Sequence, residues 1–264
     1  MIKAEAPYTT QLQAGLGMIP ETLDLLRLWE PGMIPARLAE KVIQDGLFSR
    51  TTARRARNLT VEMFAPRYLA DQGEVASRLK FLQANRFTHE GMIQLCFLYT
   101  ARAQRIFADF VVEVYWSKYS GGAAVVTRKD AESFVHRALD SGRMVIRWSE
   151  STVRRVSGYL LGCCADFGLV ADSGRSERTI QRFSIRPEVA LYLAHDLHFA
   201  GVSDSAIMQH RDWLLFGFEP GEVLNCLKTL SHDGHFLVQS SGELVQISWK
   251  YRSIHDCLNA LTQR

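Results

Sequence analysis

Between Glu90 and about Lys118 apolar residues recur at helical spacing over the longest periodic stretch of the chain. Met92, Leu95, Cys96, Tyr99, Ala103, Ile106, Phe110, Val114 and either Tyr115 or Trp116 form a surface too wide for one neighbour to cover, as expected of a central helix. Ser120-Gly121-Gly122 closes it. Shorter segments on either side carry helix signals. A helix is expected over Glu21–Trp29, stopped by Pro31-Gly32, and another opens at Pro35 and runs to Asp45, ended by Gly46. Ser49 reads as the cap of a helix beginning at Arg50, and one or two helices lie between Phe64 and Phe87, broken near Asp71–Gly73. Thr127, with Asp130 three residues on, opens a helix that Ser141-Gly142 stops. Ser149 or Ser151 opens the next, which ends near Gly168. Leu169-Val170 and Thr179–Ile185 read as two short strands around a polar loop, and a helix starts near Pro187. The tail reads as a helix over Pro220–Leu230, strands Phe236–Gln239 and Leu244–Trp249 about Ser241-Gly242, and a last helix from Ser253. The pattern predicts a mainly α, multi-helix globular fold with helix-turn-helix or winged-helix elements and small β-hairpins, and excludes an α/β sheet. Three regions are expected: 1–88, 89–190 with the central helix, and 191–264 as a packing or partner-binding module.

With 264 residues, 47% of them hydrophobic, the chain is long enough to bury a core without metal or disulfide support. Its five cysteines (Cys96, Cys163, Cys164, Cys226 and Cys257) form no C-x-x-C pair and number an odd count, which favours reduced thiols in the cytoplasm. The vicinal Cys163-Cys164 is read as buried in a helix rather than redox-active. The opening residues lack the apolar run of an export signal. The most apolar stretches, Phe107–Trp116 and Gly158–Ala171, carry Asp109, Glu113 and Asp166 and are shorter than the roughly 20 residues of a membrane span.

Nothing in the sequence announces an enzyme. The phosphate-binding, dinucleotide-binding, zinc-protease and serine-hydrolase signatures are all absent. Two histidine pairs have metal-ligand spacing, His195 with His198 and His232 with His235. The first pair ends a helix, where the dipole favours His, and the second sits at a helix stop, so both are read as structural. Gly158 and Gly162 are read as a close-packing pair. No catalytic residue, metal or cofactor is expected.

The distribution of charge says more than the net +3. Arg50, Arg54, Arg55 and Arg57 fall within eight residues that hold no acid, behind a helix and a short connection. That is the layout of a helix-turn-helix whose second helix enters a DNA groove N-terminus first. Thr51 and Thr52 would face phosphates or bases; Arg50, Arg54 and Arg57 share one face, with Arg55 about 100° away. A second constellation follows Ser149, with Ser151, Thr152, Arg154 and Arg155 in the first turns of a helix, then Arg175, Arg178 and Arg182 around the strand-loop-strand segment. This order is that of a winged helix, its wing offering arginines to a duplex.

The ordered set of segments Leu47–Arg67 (LFSRTTARRARNLTVEMFAPR), Ala103–Lys118 (AQRIFADFVVEVYWSK), Trp148–Leu169 (WSESTVRRVSGYLLGCCADFGL), Arg211–Phe218 (RDWLLFGF) and Gly242–Trp249 (GELVQISW) resembles the BrxA family, small core proteins of the BREX phage-defence systems. The likeness runs over nearly the whole chain. It implies an all-helical fold with two helix-turn-helix elements bordered by positive charge, falling here on Pro35–Leu59 and Thr127–Gly168, and binding to double-stranded DNA. It also implies company: such systems contain a methyltransferase, an ATPase, a protease-like and a phosphatase-like subunit. Some members have been labelled inner-membrane proteins, an expectation this sequence does not share. The leading expectation is therefore a cytoplasmic, non-enzymatic double-stranded DNA-binding subunit, monomeric in isolation. The alternative is an assembly adaptor that docks other defence subunits through its winged helices, with incidental DNA binding.

Overall fold

The computed structural model describes residues 7–14, 16–49, 51–171, 176–241 and 244–263. It is mainly helical, with two small antiparallel two-stranded sheets, as the sequence pattern predicts. The chain forms two compact units, Met1–Ser77 with Cys96–Phe183, and Arg78–Leu95 with Ser184–Arg264.

In the first unit a 3-10 turn, Gln11–Ala14, precedes α1 (Ile19–Leu28) and α2 (Pro35–Gln44), whose Pro35 occupies the first helical turn. Helix α3 (Ala53–Asn58) then runs on through a π-helical turn, Leu59–Phe64, into α4 (Ala65–Tyr68). The wide turn has a local cause. Pro66 has no N–H to give the carbonyl of Glu62, and its ring crowds that carbonyl, so the preceding backbone opens out. Leu59, Met63, Phe64 and Tyr68 carry the buried face of this composite helix. Gly73 closes the next turn at φ +80°; a methyl group there would lie 2.5 Å from the Trp29 ring, so only glycine lets the chain pass.

Helices α5 (Glu74–Ala84) and α6 (His89–Ala103) each contribute to both units. The expected single helix from Glu90 to Lys118 is interrupted. Gln104 takes φ −122°, ψ 83° and is buried, and the chain resumes as α7 (Arg105–Phe110), a π turn (Val111–Trp116) and α8 (Ser117–Ser120). Neither proline nor glycine marks the break. On its two sides Phe97 and Phe107 meet edge to face at 5.8 Å.

Strand β1 (Val125–Thr127), α9 (Arg128–Asp140), α10 (Glu150–Asp166) and β2 (Glu177–Thr179) follow. Strand β1 pairs with β2 in the register Val126↔Arg178. The chain leaving α10 lies on the other edge of β2, where Ala171 N–H donates to the Thr179 carbonyl at 2.8 Å and Gln181 N–H to that of Leu169 at 2.9 Å. The strand expected to reach Ile185 thus ends near Gln181, because its pairing partners end there.

In the second unit, α11 (Pro187–Phe199) is buried on every side from Val189 to Leu197 and forms the axis of the core. Around it come α12 (Asp204–Met208), α13 (Arg211–Leu214), α14 (Pro220–Ser231), the hairpin β3 (Phe236–Ser241) with β4 (Leu244–Trp249), and α15 (Ile254–Thr262). Asp204 pins the hairpin to α12 by accepting from Ile247 N–H at 2.8 Å and Trp249 Nε1 at 3.1 Å. Among the described residues, no helix is long and apolar enough to cross a membrane.

Candidate nucleic-acid interface

The first basic cluster begins three residues later than the sequence suggests. The cap is Thr52, not Ser49: its hydroxyl accepts from Arg55 N–H at 3.2 Å, and the helix starts at Ala53. Thr51 precedes the helix, its hydroxyl donating to the Phe48 carbonyl at 2.9 Å. Arg50 lies outside the described residues. Arg54 and Arg57 are exposed, three residues apart on one face, and Arg55 is half-buried to the side. Among the described residues none of the three arginines has an acidic partner. Arg54 and Arg55 also stand in a first turn that contains no acid. Positive charge there opposes the helix dipole, typically by 0.3–1 kcal/mol per group, a repulsion that a bound anion relieves.

At the second cluster Ser149 caps α10. Its hydroxyl accepts from Thr152 N–H at 3.4 Å and lies 3.0 Å from the Ser151 hydroxyl and 3.1 Å from that of Thr152. Ser149, Ser151, Arg154 and Arg155 are exposed and Thr152 is half-buried. The helix before it is held by a capping box: Thr127 N–H donates to Asp130 at 2.7 Å, and Asp130 N–H to the Thr127 hydroxyl at 3.2 Å. Burial raises the Asp130 carboxyl's pKa, but its bonds to Lys118 and Thr127 outweigh this and hold it below the ordinary range.

The structure adds Arg128, which the two basic stretches of the sequence do not include. A methyl group on Gly158 would meet Arg128 Nη2 at 3.3 Å, so the guanidinium of α9 lies against α10 one turn beyond Arg154 and Arg155. The missing side chain at Gly158 was the available signal; its packing partner is this arginine. Arg182 is exposed, whereas Arg178 is half-buried with its Nε enclosed. The Arg178 charge is felt at the buried Cys164 thiol, which burial nevertheless holds well above its ordinary pKa. Arg175 lies outside the described residues.

The loop joining α9 to α10 is anchored from a distance. Tyr8 N–H donates to the Arg143 carbonyl at 2.8 Å, the Tyr8 hydroxyl donates to Asp109 at 2.7 Å, and Arg143 donates to that hydroxyl at 2.9 Å and to Glu113 at 2.6 Å. Beyond the anchor, Val145 and Ile146 are 80% and 72% exposed.

His195, His198 and His235 are each engaged by aromatic or carbonyl neighbours. His195 is fully buried, Nδ1 bonded to the Leu191 carbonyl at 2.9 Å, its ring among Phe236, Trp249 and Tyr251; burial pulls its pKa down to about 4. His198 stacks on Trp249 at 4.2 Å, and His235 Nδ1 lies 2.6 Å from the Tyr251 hydroxyl. Among the described residues no three metal-ligating groups converge.

A crystal structure of an uncharacterized protein from Magnetospirillum magneticum shares the fold, with a TM-score of 0.58 over 73% of this chain and 94% of that one at 15% identity. No curated protein matches the sequence. The BrxA family model matches residues 6–196, well over half of the length, and the chain therefore belongs to the BrxA family.

Proposed function

We propose that the protein is a non-enzymatic double-stranded DNA-binding subunit of a BREX phage-exclusion system. Family membership supports the BREX-related role. The observation that carries the DNA reading is the exposure of Arg54, Arg57, Arg154 and Arg155 with no acidic partner among the described residues. Unpaired guanidinium groups gathered near helix N-termini are phosphate ligands in search of phosphate. The order of α7–α8, β1, α9, α10 and the strands beside β2 is that of a winged helix, with α10 as the helix that faces the duplex. In the first element α3 plays that part, led by Thr52, Arg54 and Arg57. The outward side chains at the start of α10 are Ser149, Glu150 and Ser151 beside Arg154 and Arg155, a set with hydroxyl and guanidinium ligands for phosphate, so binding is backbone-led with weak sequence preference. The readout is duplex affinity against salt. Reversing charge in R54E/R57E should weaken binding roughly tenfold or more near 0.15 M salt and reduce the slope of log K against log salt by about 2. A folded double variant that binds with wild-type affinity and slope removes the first element from the reading.

A second reading is favoured by the exposed Val145-Ile146 pair: the α9–α10 loop docks another defence subunit, and DNA binding is incidental. On that reading wild-type affinity for duplex stays within the ~10⁻⁴–10⁻⁶ M of non-specific attraction at physiological salt.

A further inference from the structure

We infer that the buried guanidinium of Arg67 holds a small monovalent anion inside the unit that carries both basic helices. Arg67 lies in α4, at the far end of the composite helix that begins at Ala53, and is 3% exposed. Its Nη1 donates to the Thr100 hydroxyl at 3.2 Å. Its Nε and Nη2 are enclosed and meet no acceptor among the described residues, while the adjacent enclosed Tyr68 hydroxyl has Thr100 and Cys96 as hydrogen-bonding neighbours.

The immediate neighbours supply protons; Asp166, whose charge also reaches the Cys163 thiol, is exposed and accepts from Gly17 N–H at 2.9 Å. Among the described residues no carboxylate pairs with Arg67. The Cys96 and Cys163 thiols both feel its charge, which favours thiolate, but burial outweighs it: the Cys96 pKa is pushed up to about 12 and that of Cys163 further still. Burial likewise keeps Tyr68, which lies beside Cys96 and Thr100, as the neutral phenol. The cluster is thus one fixed cation surrounded by hydroxyl and thiol donors. An arginine cannot discharge by losing its proton, and an uncompensated buried charge is among the most costly features a fold can carry. Water would satisfy the three N–H groups of Nε and Nη2 but not the charge. A metal cation is repelled despite the two nearby thiols. What completes the site is one compact negative charge: a halide, or a small oxyanion such as nitrate.

The test uses the whole chain. Chloride is replaced stepwise by gluconate at constant ionic strength while thermal unfolding is followed, and crystals grown in bromide are measured at the bromine edge. The wild type should show an anomalous peak beside Arg67 and a Tm that rises by roughly 3–5 °C once chloride exceeds its dissociation constant tenfold. Arg67→Met, which keeps the length of the side chain without its charge, should lose the chloride dependence. If that variant does not fold, the bromide position in the wild type decides alone. A parallel nitrate series tells halide from oxyanion, and stabilisation by neither overturns the proposal. So does a chloride dependence that survives in R67M, or bromide crystals in which water or a carboxylate of this chain occupies Nε and Nη2.

Discussion

Tyr8 stands more than a hundred residues from both of its hydroxyl's partners, Asp109 and Arg143, yet through them it fixes the loop that aims α10. Its phenol pKa is raised, by burial first and by the Asp109 bond second, so it stays a donor at all ordinary pH. Tyr8→Phe removes both bonds while leaving the ring in place, and should destabilise the first unit by about 1–3 kcal/mol in a denaturant titration. His195 gives a pH dependence to the second unit. It is neutral in the fold down to about pH 4, whereas the unfolded chain takes up the proton near its ordinary 6.5. Stability is therefore intact above about pH 6.5 and falls as pH drops towards 4, by about 1.4 kcal/mol per pH unit and roughly 3 kcal/mol in total from this group. Urea unfolding at several pH values checks this: His195→Asn, which can keep the bond to Leu191, should flatten the slope between pH 6.5 and 4 relative to the wild type. Neither role is visible in the sequence. His195 was legible as structural from its place near a helix end, but its depth among Phe236, Trp249 and Tyr251 comes from the hairpin and the residues after it, roughly forty to sixty positions further along the chain.

Elements were most legible where their signals are local. The capping box of α9 forms as the sequence predicts, Ser149 rather than Ser151 caps α10, and α15 starts directly after Ser253, because each cap involves atoms three residues apart. Removing the box with Thr127→Ala should cost about 1 kcal/mol in thermal or chemical unfolding. At α3 the local signal failed: Ser49 has the chemistry of a cap, but Thr52 fills the role, and that shifted the arginines within the helix. That shift places Arg54 and Arg55 in the first turn. The break at Gln104 was beyond local reading, since apolar spacing continues on both sides and neither proline nor glycine marks it. Pro66 did carry a readable cause for the wide turn before it, and its effect extends α3 rather than ending it.

For the whole molecule the central question is whether the two basic clusters engage one duplex. If they do, R154E/R155E should lower the salt slope by about 2 on its own, and combining it with R54E/R57E should lower it by about 4. Filter-binding or fluorescence anisotropy titrations at several salt concentrations give those slopes; a combined variant no weaker than either pair alone would mean that only one cluster meets DNA at a time. The sequence by itself determined the helical class, most helix starts and stops, both basic stretches and the family, because these depend on neighbours along the chain and on the order of segments. Tertiary structure decided which arginines face water. Arg54, Arg57, Arg154 and Arg155 do, Arg178 is half-withdrawn by its pairing with Val126 in the sheet, and Arg67 is enclosed altogether. All six are the same residue. The difference between a phosphate ligand and a buried cation lies in which distant elements cover the side chain, and spacing along the chain carries no record of that.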